Sequence, residues 1–97
     1  MNKLEQLKNV SNYSVVRRKA KLLYKRDVFP STRKTKKYMI KNNKGNFVHF
    51  GHIDYEDYTK HKDKTRRTNY LTRASNIKGN WKKDPFSPNN LSLTLTW

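Results

Sequence analysis

The apolar positions of this chain follow two different periods. In residues 1–12, MNKLEQLKNVSN, Leu4, Leu7 and Val10 recur every three residues, which predicts a short helix that needs a partner surface to persist. In SVVRRKAKLLYKRD, Ser14 is a candidate N-cap. A helical wheel there gathers Val15, Val16, Leu22 and Leu23 on one side and Arg17, Arg18, Lys21 and Lys25 on the other, giving one docking face and one cationic face. Pro30, Ser31 and Thr32 end that helix. Arg33, Lys34, Lys36 and Lys37 then read as an extended, mobile basic linker.

At KYMIKNNKGNFVHFG the period changes to two: Tyr38 and Ile40 face one way, Met39 and Lys41 the other. NNKG turns, Phe47, Val48 and Phe50 return, and Gly51 closes a β-hairpin. A bare hairpin is marginal in water, so its aromatic face needs cover. The predicted cover is a helix capped by Asp63 and running through KTRRTNYLTRASN, with Tyr70, Ala74 and Ile77 on its inner side. Arg66, Asn69 and Arg73 form a row along one flank of it. Arg67 falls beside the apolar stripe and is expected to pair with Asp54, Asp57 or Asp63, locking helix to hairpin.

The closing segment supports two readings. Leu91, Leu93, Leu95 and Trp97 alternate with Ser92, Thr94 and Thr96 as a strand would, yet Ser87 and Pro88 make a helix start that puts Leu91 and Leu95 on one face. In either case Trp81, Phe86 and Trp97 are expected to fill the core. The predicted fold class is therefore a small single α+β domain: a β-hairpin packed by a helix, a basic amphipathic N-terminal helix, and a short C-terminal helix or strand. The organisation expected is a basic helix and linker over 1–37 and the α+β domain over 38–97.

Composition adds the partner. With 23 Lys and Arg against 7 Asp and Glu, the formal charge is +16, which repels itself unless a polyanion is present. A membrane-bound basic segment brings an opposite face rich in Leu, Phe or Trp, or a lipidation signal, and neither is evident, so no membrane partner is expected. The absence of cysteine excludes disulfides and Cys-type zinc sites. Ninety-seven residues leave little core for a deep catalytic pocket.

His49, His52, Asp54, His61 and Asp63 are chemically suitable for a small metal-dependent nuclease. Their spacing argues against it, because His49 and His52 at the end of a strand point to opposite faces unless Gly51 bends the chain. No Gly-rich phosphate loop or nucleophile elbow is present. The expectation is a protein that is not an enzyme, with no cofactor and no bound metal.

KYMIK, GNFVHFG, YEDYTKHKD, RR, YLTRA and SPNNLS with its LTW ending, taken in order over residues 38–97, resemble a family of short basic proteins and domains of large DNA viruses of eukaryotes. The resemblance implies a viral origin, a place in the virion interior or the viral factory, and a C-terminal segment that is helical. It implies no function. Giant-virus proteins that condense the genome are the nearest functional analogy.

The function expected is double-stranded DNA binding and compaction without sequence specificity. Phosphate contacts are assigned to Arg17, Arg18, Lys21, Lys25, Arg33, Lys34, Lys36, Lys37, Arg66 and Arg73, and Asn69 is the one candidate for a base edge. An internal virion protein and an RNA-binding protein, the latter stacking bases on Tyr13, Tyr24, Tyr55 or Tyr58, are the alternatives. Compaction also needs two surfaces or self-association, for which the Leu4, Leu7 and Val10 stripe is a candidate.

Overall fold

The computed structural model describes residues 2–97. Two helices open the chain, α1 (Lys3–Val10) and α2 (Tyr13–Tyr24), followed by strands β1 (Val28–Pro30), β2 (Lys36–Lys41) and β3 (Phe47–His52). Then come a single helical turn α3 (Tyr58–His61), the helix α4 (Lys64–Ser75), a 3₁₀ turn (Trp81–Lys83) and α5 (Pro88–Leu91), which continues as a π-helical turn over Ser92–Thr96. The class is mixed α+β. The predicted hairpin is two strands of a three-stranded antiparallel sheet of order β1-β2-β3, with Val28 opposite Ile40 and Tyr38 opposite Phe50. β1 is the extension that the sequence reading missed, because Pro30 and three residues give almost no periodicity.

The β2–β3 turn is made by Asn42, whose Oδ1 accepts from the Lys44 and Asn46 amides, while Gly45 adopts the left-handed conformation that the turn requires. Tyr38, Ile40 and Phe50 are fully buried on one face of the sheet. The cover differs from the prediction: it is built from Leu7 of α1, Val16 and Ala20 of α2, and Leu91 and Leu95 at the C-terminal end. α4 buries only Ala74. Its polar composition explains this, since a helix with one small buried side chain has no stripe wide enough to cap a sheet.

Residues 2–37 therefore do not stand apart from 38–97, because Leu7 and Val16 belong to the same core as Tyr38 and Leu95. The apolar stripe of α1 docks on its own domain through Leu7 and Val10, leaving Leu4 outside. In α2 the N-cap is Asn12 and not Ser14, so the helix starts earlier, and Val16 and Ala20 are the side chains it buries. Leu22 and Leu23, expected on the docking face, are 68% and 55% exposed.

The expected mobile linker is also structured. Lys36 and Lys37 begin β2, and the Lys3 Nζ donates to the carbonyl oxygens of Arg33, Lys34 and Lys36, pinning the turn to α1. The C-terminal segment is helical. Ser87 caps it through its hydroxyl, and Leu91 and Leu95 fall on one buried face. Phe86 packs partly against the core, whereas Trp81 and Trp97 are half-buried at its margin, so only one of the three expected aromatics touches it.

Candidate nucleic-acid interface

Asp57, ahead of α3, sits at a buried joint. Lys37 Nζ donates to Asp57 Oδ2 at 3.1 Å, with both side chains almost wholly out of solvent. Thr59 donates to the other Asp57 oxygen and accepts from the Asn12 amide; Ser11 bridges Thr59 to the Tyr38 hydroxyl, which donates to it at 2.6 Å. The Asp57 amide itself donates to the Val10 carbonyl. A continuous polar chain thus ties β2, α3 and the α1–α2 junction together. Burial holds the Lys37 ammonium below the ordinary lysine range, opposed by the neighbouring Asp57 charge, and burial raises the Tyr38 phenol.

Two sequence expectations are corrected here. Lys37 is not a phosphate contact, since its ammonium lies under the surface against Asp57. Arg67 does not pair with Asp54, Asp57 or Asp63. Asp57 holds Lys37, Asp63 caps α4 by accepting from the Thr65 and Arg66 amides, and Asp54 lies beside His52. Arg67 instead donates from Nε to the Trp97 carbonyl oxygen at 2.8 Å and lies 5.2 Å over the Tyr58 ring.

Gly51 is what lets Lys37 reach its partner. It sits at φ +77°, which strains any side chain, and a Cβ there would crowd the Lys37 stem at 3.2 Å, so the lysine would have to shift to make room.

Around Arg67 the motifs of the second half form one aromatic and cationic series. Tyr70 stacks on Trp97 at 4.1 Å and 8°, Trp97 meets His61 at 5.1 Å, His61 meets Tyr58 edge-on, and Arg73 lies over Tyr70. Beside it runs an open groove of about 930 Å³ lined by Lys36, His52, Tyr55, Glu56, Arg66, Asn69, Arg73, Ile77 and Trp81, among others. The predicted row of Arg66, Asn69 and Arg73 is therefore one wall of this groove. Arg66 is partly neutralised by Glu56 at 3.3 Å, a half-exposed pair of small energetic weight. Lys36, already assigned to phosphate, also lines the groove, and sequence reasoning missed His52 and Trp81 there. Their separation along the chain hides the meeting, and the one signal was a Tyr and a Trp without periodic apolar neighbours.

The α2 cations form a second surface. Arg17, Arg18 and Lys21 border a shallow depression with Ser14, Asp27 and Val28 that shares no residue with the groove. Lys21 pairs with Asp27 in the open, Arg17 lies over the Tyr13 ring, and Lys25 ends the helix in the left-handed conformation. Arg33 and Lys34 are exposed on the pinned turn, and Lys36 is half-buried. Of the tyrosines considered for stacking, Tyr55 is 67% exposed. Tyr13 and Tyr24 are half-buried and donate to the Val28 and Pro85 carbonyls, and Tyr58 lies under Arg67.

The histidines do not assemble. Among the described residues no group of three or more His, Asp or Glu is placed to hold a metal ion. His49 bonds Ser31 at 2.6 Å, while His52 and His61 each accept through Nδ1 from the amides of Asp54 and Asp63. For His61 this fixes the neutral tautomer, because a proton on Nδ1 would face the Asp63 N–H. Burial, reinforced by Arg66, lowers its proton affinity against the opposing charges of Asp63, Glu56 and Asp57; burial with Arg33, Lys3 and Lys36 lowers that of His49.

Both groups bind protons more readily unfolded than folded. Stability is thus complete above the ordinary histidine range and declines as pH falls below about 6.5. Urea midpoints at pH 7.5 and 5 should show the lower value at pH 5, and His61→Gln should shrink the difference.

Fold and charge together define a small basic α+β domain with two separate cationic surfaces. Over residues 27–74 the chain is similar to a family described as Family of unknown function (DUF5754), a stretch that runs from the start of the sheet to the end of α4. No curated protein and no solved structure matches the chain. Among the described residues no helix is long and apolar enough to cross a membrane.

Proposed function

We propose that this protein binds double-stranded DNA without sequence specificity and compacts it, as a genome-packaging protein of a large DNA virus acting in the virion interior or the viral factory. The observation that carries the reading is the pair of unshared cationic surfaces, the α2 face and the α4 groove, on one chain of charge +16. One such surface coats DNA. Two allow a single molecule to hold two segments, which is the minimum that compaction needs. Leu7 and Val10 of the α1 stripe pack into their own domain, so the reading rests on the two surfaces and not on self-association through that stripe.

The exposed cations lie on helices and a pinned turn and project long, rotatable side chains, an arrangement suited to phosphates and not to base edges. Asn69 stands exposed between Arg66 and Arg73 on the groove wall. With Lys37 withdrawn, nine of the assigned cations remain. Partial neutralisation of Lys21 and Arg66 leaves an expected log–log slope of DNA affinity against salt of about −6 to −8.

A titration of long mixed-sequence duplex at several salt concentrations, with an unrelated duplex and a single-stranded RNA as competitors, tests the proposal. Equal competition by the duplexes and a steep slope support it. Sequence preference, preference for RNA or a slope near −2 would replace it with one of the alternatives.

A further inference from the structure

The sheet has a second face. By alternation and register, Phe29, Met39, Lys41, Phe47 and His49 point away from the core formed by Val28, Tyr38, Ile40 and Phe50. Phe29 and Phe47 are each 41% exposed, and their rings meet edge to face at 6.1 Å across β2. The Lys41 ammonium stands 5.5 Å over the Phe47 ring. Unlike the exposed Leu22 and Leu23 of α2, this pair presents two aromatic rings in contact, and its surroundings restrict what can cover it. From Val28 to His52 the sequence carries not one Asp or Glu, and with Lys37 withdrawn against Asp57 the cations of this stretch are Arg33, Lys34, Lys36, Lys41 and Lys44.

We infer that this open sheet face is a base-stacking platform for single-stranded DNA. The occupant must supply flat apolar faces for two phenyl rings and negative charge for a border of one sign, and an unpaired strand presents both along its length. A duplex presents phosphates but keeps the faces of its bases inside the stack, so it satisfies the cations and leaves Phe29 and Phe47 uncovered. Phenyl rings carry no group to bond a 2′-hydroxyl, which leaves RNA without a distinguishing contact on the platform. A second copy of the chain would bring the same row of positive charges against itself. The two rings line neither the α2 depression nor the α4 groove, although Lys36 of the border also lines the groove, so the stacking, and not the border charge, is what sets the platform apart from the proposed duplex binding.

The test uses the full chain and three labelled probes: oligothymidylate, an abasic strand of equal length, and a duplex. Wild-type protein is expected to bind oligothymidylate about ten- to a hundredfold more tightly than the abasic strand, the gain that stacking on two rings provides. Phe29→Ala with Phe47→Ala should bring oligothymidylate down to the abasic level and leave duplex affinity unchanged, while Phe29→Tyr with Phe47→Tyr should retain the preference.

Equal wild-type binding of the thymidylate and abasic strands overturns the inference whether or not the variant folds. So does equal loss of duplex binding in the alanine variant, tighter binding of oligouridylate than of oligothymidylate, or a wild-type dimer in sedimentation that the alanine variant converts to monomer. Failure of duplex binding alone would refute the packaging proposal and leave the platform standing.

Discussion

Asp57→Ala is expected to leave the domain largely unfolded at 37 °C, with a loss of about 3–5 kcal/mol. The substitution removes the ion-pair partner of a buried lysine and at the same time takes one acceptor from Thr59, so an ammonium is stranded where water does not reach. A domain of this size has about 5–15 kcal/mol in total, so the change takes a large share of it. Urea denaturation followed by the fluorescence of Trp81 and Trp97 would show the midpoint falling by a third or more at unchanged slope. Lys37→Met combined with Asp57→Leu should recover most of the loss, because replacing both charges by apolar groups removes the desolvation cost together with the attraction. An unchanged midpoint in Asp57→Ala would mean that Lys37 reaches solvent in solution.

Reversing the α2 face, with Arg17→Glu, Arg18→Glu and Lys25→Glu, should weaken duplex binding at physiological salt by about a hundredfold or more and flatten the salt slope by about 3. Condensation of long DNA should fail altogether, since one surface can coat but not bridge. The fold should survive, because α2 is held by Val16 and Ala20 on its other side and none of the three cations is buried. Circular dichroism and the urea midpoint would check that. Reversing Arg66 and Arg73 should likewise abolish bridging while α2 still coats. Full condensation by either variant would show that the chain compacts DNA by another route.

The parts of the fold legible in the sequence were those where local pattern and tertiary packing agree. The alternation of Tyr38 with Met39 and the NNKG turn place β2 and β3, Asp63 announces α4, and Ser87 with Pro88 announces the C-terminal helix. What covers the sheet was not legible, because a wheel shows that a helix has a face but not which sheet it meets. On α2 the two bulkiest aliphatics, Leu22 and Leu23, outvoted the small Ala20 on the wheel, yet Ala20 fits where the helix comes closest to the core.

The site was legible in the same uneven way. Arg66, Asn69 and Arg73 lie on one helix flank, so spacing alone put them together. Lys37 reads in sequence as one more member of a basic run, and nothing local distinguishes it from Lys36. Only the approach of Asp57, twenty residues on, makes it structural. Arg67 reads in sequence as a cation wanting a carboxylate, but its partner is the Trp97 carbonyl, thirty residues away, and backbone acceptors leave no mark in a sequence.

The cover of the sheet comes from both ends of the chain, and that bears on when the protein can fold. The hairpin of β2 and β3 is local and can pair as soon as it is made, but its apolar face is closed from one side by Leu7 and Val16 and from the other by Leu91 and Leu95. During synthesis the middle of the molecule therefore waits with Tyr38, Ile40 and Phe50 half-covered until residues 91–95 emerge. Those last contacts close loops of tens of residues and set the pace. A growing chain with this excess of lysine and arginine therefore carries its charge, and the repulsion that goes with it, before it has a finished core to hold that charge in place.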